Sequence, residues 1–377
     1  MPPAKQDRPL LFCSLIAAVF IILIGIDRIS PAVLPKDSYF YHPWEYMMGS
    51  FRYNIPRTNE KMELTGYGDL ANMLGVPGYQ VLRKFVWTND RYGKRNSSVT
   101  QHETPAVVVV GDSFMVSAAN SDEESFVTQL QTHTDASVYG YVPADMSVFL
   151  HDLRFQEDPP EVVLWGRVER NTLGSNGEIE TILKDTSCFT EISEWNRMEK
   201  TSKDTVKALI GGFTEYAQLS ILRRTMQQSL RHMLYAWTGQ HTKNVLLVPG
   251  ETMLFHDRGA AVLSSPGKER GFSAVADAVA HVRNCLKARG TRLIFMSIPD
   301  KEHIYASRLG REVPTPDPLL VLEQELDNRK VQYVSLVKRF QEESTPGKDL
   351  LYWLDDTHWN ARGIGVAVEE VIKKLEE

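Results

Sequence analysis

The sequence has few cysteines and no excess of positive charge. Cys13, Cys188 and Cys285 include no CxxC pair, so they cannot form a structural zinc site or a disulfide framework. Lys and Arg number 42 against 48 Asp and Glu, which gives a formal net charge of -6. Because binding to a phosphate backbone requires a basic surface, this balance excludes a nucleic acid partner.

Metal-binding patterns and repeats are also missing. The 10 histidines form no HExxH motif and no similar paired spacing beside a carboxylate, and no internal repeat is present. We therefore expect neither a catalytic metal nor a tightly bound cofactor. With 377 residues, 42% of them hydrophobic, the chain is long and apolar enough for one elaborate globular domain or two ordinary ones.

One uncharged apolar run stands near the N-terminus, at residues 9–26 (PLLFCSLIAAVFIILIGI). As a helix rising about 1.5 Å per residue, it approaches the roughly 30 Å hydrocarbon core of a bilayer. The alternative is a cleaved signal peptide, but the run exceeds the usual apolar core of about 7 to 15 residues. The nearby small-x-small site at residues 30–32 also has proline in the middle. We therefore predict an uncleaved transmembrane anchor at residues 9–27 after a cytoplasmic tail at residues 1–8.

The sequence gives only a weak signal for the orientation of this anchor in the membrane. Lys5 and Arg8 precede the run, and Arg28 and Lys36 follow it, so the positive-inside signal is nearly flat. The short N-terminal tail still favours a body outside the cytoplasm. There Cys188 and Cys285 can pair, but no local feature requires a disulfide, and the pairing stays open.

Three apolar runs have the composition of strands buried on both faces of a parallel sheet. They lie at residues 106–110 (AVVVV), 162–165 (VVLW) and 293–298 (LIFMSI). Stretches of helical length lie at residues 123–132, 272–289, 318–329 and 361–377, the last with Asn360 as its N-cap. This alternation predicts an α/β fold over residues 101–377, after a stalk and lead-in at residues 28–100.

A helical insertion interrupts this pattern at about residues 173–268. Within it, residues 202–238 form a long amphipathic tract with a basic cluster, Arg223, Arg224, Arg231 and His232. Such a cluster is most often a solvated helix face. The alternative is a surface that meets lipid head groups or a membrane partner.

Two short motifs supply the groups needed for nucleophilic catalysis. Ser113, in Gly-Asp-Ser, directly follows the first apolar run, where open α/β sheets bind their ligands. His358 lies near the other end of the chain, after Asp355 and Asp356 and just before the last helix. A serine nucleophile needs a base and a group that orients the base, and these residues are the candidates. Taken alone, the second motif is equally compatible with a helix cap and a surface histidine.

In this arrangement the sequence resembles the SGNH (GDSL-like) hydrolases, and finer features resemble the alginate O-acetyltransferase AlgJ and AlgX group within them. The matching segments are residues 87–96, 111–114, 162–171, 298–305 and 356–360. The resemblance implies a three-layer α/β/α fold with a flavodoxin-like parallel sheet. One departure is the order of motifs, because Asp-Thr-His-Trp precedes the serine in the alginate proteins and follows it here.

The resemblance also implies roles for individual residues. Ser113 is the nucleophile, His358 the general base and then acid, and Asp356 the orienting carboxylate, with Asp355 as the alternative acid. The oxyanion hole combines the Ser113 N–H with donors from the following strand-end loops, which places Gly140 and Arg170 as candidates. For substrate binding the candidates are Lys301, which is otherwise a solvated loop charge, and Trp359, which is otherwise a packed side chain.

The function implied is a membrane-anchored, extracytoplasmic O-acetyltransferase. It passes acetyl through an acyl-serine to hydroxyls of a cell-envelope or exported polysaccharide, and a multi-span membrane acyltransferase supplies the acetyl group. The expected location is the inner membrane, with the catalytic domain in the periplasm. The alternatives are an esterase that removes acetyl from a glycan, and a non-catalytic glycan-binding or assembly subunit.

Overall fold

The computed structural model describes residues 14–15, 18–19, 21–23, 25–26, 47, 58–75, 78–174, 177–184, 188, 221–239, 244–266 and 271–377. The tail predicted at residues 1–8 and much of the anchor predicted at residues 9–27 lie outside these ranges. Those residues of the apolar run that are described are helical, and nearly all are exposed. Within the described ranges, no helix is both long enough and apolar enough to cross a bilayer. The anchor therefore stays a prediction.

A five-stranded sheet forms the centre of the fold, and all of its pairings are parallel. In spatial order its strands are β4 (Val138–Tyr141), β3 (Val107–Gly111), β5 (Val162–Val168), β8 (Arg292–Ile298) and β9 (Gln332–Ser335). The chain moves from β3 to one side and then returns to the other, so the strand order reverses between β3 and β5. Ligands of open α/β sheets bind at this switch point, beyond the carboxyl ends of the strands.

The strand β3 shows why the sheet forms. Its valines are all buried, with Val107 and Val109 in one apolar cluster and Val108 and Val110 in another. Because side chains alternate across a strand, these clusters are the cores on the two faces of the sheet. The predicted three-layer α/β arrangement is therefore confirmed for this domain.

Helices cover both faces, and the longer ones match the sequence prediction closely. Asn360 caps the last helix as expected, since its Oδ1 accepts the Gly363 N–H at 3.0 Å. One boundary differs, because Ser125 caps a new helix at Phe126 and leaves a 3-10 turn before it. The described helices are α1 (Asp69–Leu74), α2 (Phe126–Thr132), α3 (Met146–Leu150), α4 (Leu153–Glu157), α5 (Glu169–Thr172), α6 (Gly177–Lys184), α7 (Ile221–Thr238), α8 (Asp257–Ser264), α9 (Phe272–Lys287), α10 (Lys301–Ile304), α11 (Pro318–Asn328), α12 (Val337–Glu343) and α13 (Ala361–Glu376), with 3-10 turns at Asp122–Glu124 and Ala306–Leu309.

The described part of the lead-in, residues 58–75 and 78–100, contains regular secondary structure. Its strands β1 (Glu60–Gly66) and β2 (Arg83–Asn89) pair antiparallel, and the helix α1 lies between them in the chain. Trp87 of β2 is fully buried in the same apolar cluster as Val107 and Val109. The lead-in thus packs directly on one face of the sheet domain.

Parts of the predicted insertion pack on the domain. Ile179 and Ile182 of α6 join the core beside α9, and strands β6 (Val245–Leu246) and β7 (Phe255–His256) form a small antiparallel pair. A disulfide links Cys188 to Cys285 of α9, with 5.3 Å between the Cα atoms. Residues 202–220 of the predicted helical tract lie outside the described residues, as do the side chains of Arg223, Arg224 and His232.

Candidate active site

The turn that carries Ser113 begins where β3 approaches β5 most closely. Gly111 has a φ of 155°, and a Cβ there would lie 2.1 Å from the Gly166 carbonyl oxygen, so only glycine fits. Asp112 then fastens the turn, because its carboxylate accepts the backbone N–H of Phe114 and of Val168, each at 3.0 Å. Ser113 is thereby held, partly exposed, at the switch point of the sheet.

The structure brings Ser113, His358 and Asp356 into one hydrogen-bonded chain. His358 Nε2 lies 2.8 Å from Ser113 Oγ, and His358 Nδ1 lies 2.6 Å from Asp356 Oδ1. Asp356 Oδ1 also accepts the backbone N–H of His358 at 2.9 Å, which fixes the ring against the carboxylate. In this geometry the Nδ1–H donates to Asp356 and Nε2 is left to accept the serine proton.

The charges around His358 raise the pKa of its imidazole. Burial by itself lowers the pKa of His358, but the adjacent Asp356 carboxylate outweighs it and raises this pKa above its usual value. Burial conversely raises the pKa of Asp356, and the attraction of His358 and Arg83 lowers it well below its usual range. Asp356 therefore stays ionised, and an ionised carboxylate at this position would stabilise a positive charge on His358.

Asp355, the alternative acid, points away from the histidine. Its Oδ2 accepts the backbone N–H of Gly68 at 3.0 Å and of Val81 at 3.1 Å, and its Oδ1 accepts from Arg83 at 2.5 Å. A Cβ on Gly68 would lie 2.0 Å from the Asp355 carbonyl oxygen. Asp355 thus holds the lead-in against the loop that carries His358, and Asp356 is the one of these two carboxylates that contacts the histidine ring.

A second carboxylate at the site, Asp69, was not expected from the sequence. It accepts the Thr357 backbone N–H at 2.7 Å and the Thr357 hydroxyl at 2.5 Å, and it lies 3.9 Å from His358 Nδ1. Its own N–H donates to Asp356 Oδ2 at 2.9 Å. Asp69 begins α1, 287 residues before Asp356, and only its acidic character at a helix start offered a signal.

Asp69, Asp356 and His358 also have atoms close enough together to hold a metal ion. Each of these groups, however, is already engaged within the site, because His358 Nδ1 faces Asp356 and Asp69 accepts from Thr357. The arrangement fits proton transfer to and from Ser113 better than an open set of metal ligands.

Two of the predicted binding residues are structural, and their assignments were wrong. Gly140 lies inside β4, where its N–H donates to Asn96 Oδ1 at 2.8 Å and is not available to an oxyanion. Trp359 is fully buried, with its ring stacked on Phe126 at a centroid distance of 5.9 Å, so it cannot stack on a sugar. Its Nε1–H donates to the Phe114 carbonyl at 3.0 Å. This bond ties the histidine loop, residues 344–360 between α12 and α13, to the serine turn, residues 111–114.

Lys301 was also predicted to bind substrate, but its side chain does not face solvent. It is 0% exposed, and its ammonium donates to the carbonyls of Trp353, Leu354 and Asp356 at 2.6, 2.9 and 3.0 Å. Burial lowers the pKa of Lys301 to about 8, against neighbouring carboxylates that favour its charged form. Lys301 therefore holds the loop that carries Asp356 and His358.

Arg95 holds the segment that follows the serine turn in the same way. Its guanidinium is buried over the Trp87 ring and donates to the carbonyls that follow the serine turn, those of Val116, Ser117 and Asn120, at 2.8, 2.8 and 2.7 Å. Burial lowers the pKa of Arg95 to about 10, partly offset by Asp122. The loop that carries His358 and the segment that follows Ser113 are thus each fixed by a buried cation that donates to three of their backbone carbonyls.

Arg170 is the one remaining binding candidate that lies beside the serine turn. Its guanidinium bonds the Asp300 carboxylate and lies 5.2 Å from the centroid of the Phe114 ring, which is itself 4.9 Å from the His358 ring. Asp300 also accepts the Arg170 backbone N–H at 2.8 Å. Two of the motifs noted in the sequence, residues 168–171 and 298–305, therefore meet directly at this edge of the sheet.

Comparison with known proteins agrees with this site over the last third of the chain. No curated protein matches the sequence. A family model described as the SGNH hydrolase-like domain of acetyltransferase AlgX matches residues 253–377. This region contains Lys301, Asp356 and His358, whereas Ser113 lies before it. The resemblance that the motifs predicted is therefore confirmed for residues 253–377, which match the SGNH hydrolase-like domain of the AlgX acetyltransferases.

Proposed function

We propose that the protein is an O-acetyltransferase that moves acetyl groups onto hydroxyls of a polysaccharide outside the cytoplasm. The observation that carries the proposal is the hydrogen-bonded chain of Ser113, His358 and Asp356 at the switch point of the sheet. The match of residues 253–377 to an acetyltransferase family supports transfer to a glycan as the outcome.

In the first half-reaction Ser113 Oγ attacks the carbonyl carbon of an acetyl donor. Its proton passes to His358 Nε2, 2.8 Å away, while Asp356 stabilises the imidazolium. When the tetrahedral intermediate collapses, the bond from the carbonyl carbon to the donor breaks, and His358 returns the proton to the leaving group. Ser113 is left as an acetyl ester.

In the second half-reaction a sugar hydroxyl replaces the donor. His358 removes its proton as the hydroxyl oxygen attacks the acetyl-serine, and then protonates Ser113 Oγ as the ester bond to serine breaks. The products are an O-acetylated sugar and free Ser113. Water in place of the sugar gives acetate, so the same groups support an esterase, and the acceptor decides the outcome.

The negative oxygen of each tetrahedral intermediate needs hydrogen-bond donors. The Ser113 backbone N–H makes no hydrogen bond to another residue in the described part of the chain, and it is the first donor that we propose. Arg170 is the second, because its position over Phe114 places a fixed positive charge beside the serine turn. Burial lowers the pKa of Arg170, but Asp300 and other carboxylates outweigh it, so its pKa is raised and the charge is permanent.

Two features of the chain support the proposed location. The disulfide between Cys188 and Cys285 supports an oxidising compartment such as the periplasm. The apolar run at residues 9–26 is the proposed anchor in the inner membrane. An acetyl donor supplied through the membrane by a multi-span acyltransferase partner fits this placement.

A direct test uses the full-length protein with p-nitrophenyl acetate as donor and acetylatable oligosaccharides as acceptors. We expect acetyl-oligosaccharide to form faster than free acetate, with both products lost in Ser113→Ala and His358→Ala. Ser98→Ala is the matched control, because Ser98 is an exposed serine in the lead-in. Serine-dependent acetate release that sugars do not divert would replace the transferase with an esterase. Products that persist unchanged in Ser113→Ala would show that Ser113 is not the nucleophile. No product above the protein-free background from the wild type would favour a binding or assembly subunit.

A further inference from the structure

The helix α7 differs in charge from the rest of the molecule. Its sequence, ILRRTMQQSLRHMLYAWT, contains three arginines and no Asp or Glu, in a chain with a net charge of -6. A helix with basic residues, large apolar side chains and a tryptophan is typical of helices that lie in the interface of a bilayer. The proposed acetyl transfer does not involve any residue of this helix.

One face of α7 is apolar and open. Leu230, Met233, Leu234 and Trp237 lie at i, i+3, i+4 and i+7, which places them on a single stripe of the helix. All four are exposed to solvent among the described residues, and Trp237 is 91% exposed. Water-exposed side chains of this size and spacing are unfavourable unless something covers them.

Another face of the same helix is docked on the domain. Tyr235 packs in a small apolar cluster with Leu70 and Leu74 of α1, and Arg231 donates to the Met73 carbonyl at 3.3 Å. The helix is therefore held against α1 while its apolar stripe faces outward. The first residue of α1, Asp69, contacts Thr357 in the histidine loop, so α1 connects α7 to the site.

We propose that the stripe of Leu230, Met233, Leu234 and Trp237 inserts into the interface of an anionic lipid bilayer. The positive charge in the sequence of α7 complements acidic head groups, whereas in a symmetric pair of chains this basic helix would face its own copy and be repelled. The apolar run at residues 9–26 supplies a second lipid-compatible surface. Residues 27–46 lie between this run and Met47, which is buried in the core. At up to about 3.5 Å per residue, they are long enough to let both surfaces reach one bilayer. Docking of α7 brings the lead-in side of the active site close to the membrane.

The test measures Trp237 in the full-length protein, reconstituted into vesicles that contain nitroxide-labelled phosphatidylcholine. The Trp237 signal is the difference in fluorescence between the wild type and Trp237→Phe. We expect labelled lipid to quench most of this signal in vesicles with phosphatidylglycerol, and less in vesicles of phosphatidylcholine alone. Trp353→Phe is the matched control, because Trp353 is half-buried beside Arg83 and its signal is not expected to be quenched.

A second variant separates docking from anchoring. Leu234→Glu places a carboxylate in the stripe at an exposed position, so its thermal unfolding should match the wild type, while quenching of Trp237 is lost. A Trp237 signal that labelled lipid leaves unchanged in both kinds of vesicle would overturn the proposal, and would mean that another segment or another copy covers the stripe. Because quenching requires no acetyl transfer, this result is independent of the proposed reaction.

Discussion

At the scale of single residues, adjacent carboxylates in the histidine loop have separate tasks. Asp356 orients His358, so Asp356→Asn should lower kcat by about 10³- to 10⁴-fold, as expected when the imidazole loses its correct tautomer. The rate requires neutral His358, and the raised pKa places the acidic limb of the pH profile above the usual histidine value of about 6.5. Without Asp356 that limb should move to lower pH. The pH dependence of the remaining serine-dependent ester hydrolysis measures this shift.

Asp355→Asn provides the matched comparison at the neighbouring position. It weakens the bonds to Gly68, Val81 and Arg83 and should lower thermal stability. The bond from His358 to Asp356 remains, so the acidic limb should stay where it is in the wild type. If instead Asp355→Asn moved the limb and Asp356→Asn did not, the assignment of the orienting acid would be reversed.

At the scale of elements, buried cations hold the loops that the sheet and helices present to the substrate. Lys301→Met should leave the carbonyls of Trp353, Leu354 and Asp356 without their donor. An unsatisfied buried polar group costs about 1 to 3 kcal/mol, so we expect a loss of roughly 3 kcal/mol or more in the free energy of unfolding. Because the same loop places His358, serine-dependent activity should fall about tenfold or more even well below the unfolding temperature.

The control is Lys373→Met, which removes an exposed lysine that pairs with Glu370 on the same helix. It should change stability by less than about 0.5 kcal/mol and leave activity intact. Denaturant unfolding and initial rates on the same protein samples measure both quantities. Wild-type activity in Lys301→Met would show that the loop keeps its shape without the cation.

At the scale of the whole molecule, the sequence predicted the strands and motifs that short stretches of residues determine by themselves. The three central strands lie within a few residues of the predicted runs, because buried strands need continuous apolar residues. The strands Val138–Tyr141 and Gln332–Ser335 were not identified, since both lie at the edges of the sheet and carry glycine or polar residues. Ser113, His358 and Asp356 could be named as candidates because each lies in a short motif at a strand or helix end, and the structure brings the three together.

The rest of the site depends on contacts between distant parts of the chain. Asp69 and Arg95 belong to a lead-in with weak periodicity, and no local pattern shows that they reach the histidine loop and the serine turn. Lys301 and Trp359 were named as candidates for substrate binding, Lys301 from the family resemblance and Trp359 because it lies beside His358. Only the fold shows that both side chains are buried.

The disulfide also belongs to this scale, because it joins the predicted insertion to α9 across 97 residues of sequence. Closing a loop of this size restricts the unfolded chain, so the double variant Cys188→Ser and Cys285→Ser should lose about 2 to 4 kcal/mol of stability. Cys13→Ser is the matched control, since Cys13 is the remaining cysteine of the 3 in the chain, and it should unfold like the wild type.

Thiol titration of denatured protein gives the complementary measurement. Protein exported to an oxidising compartment should show only the Cys13 thiol, and protein kept in reducing conditions should show all 3. Full thiol reactivity in the exported protein would contradict both the pairing and the compartment that it supports.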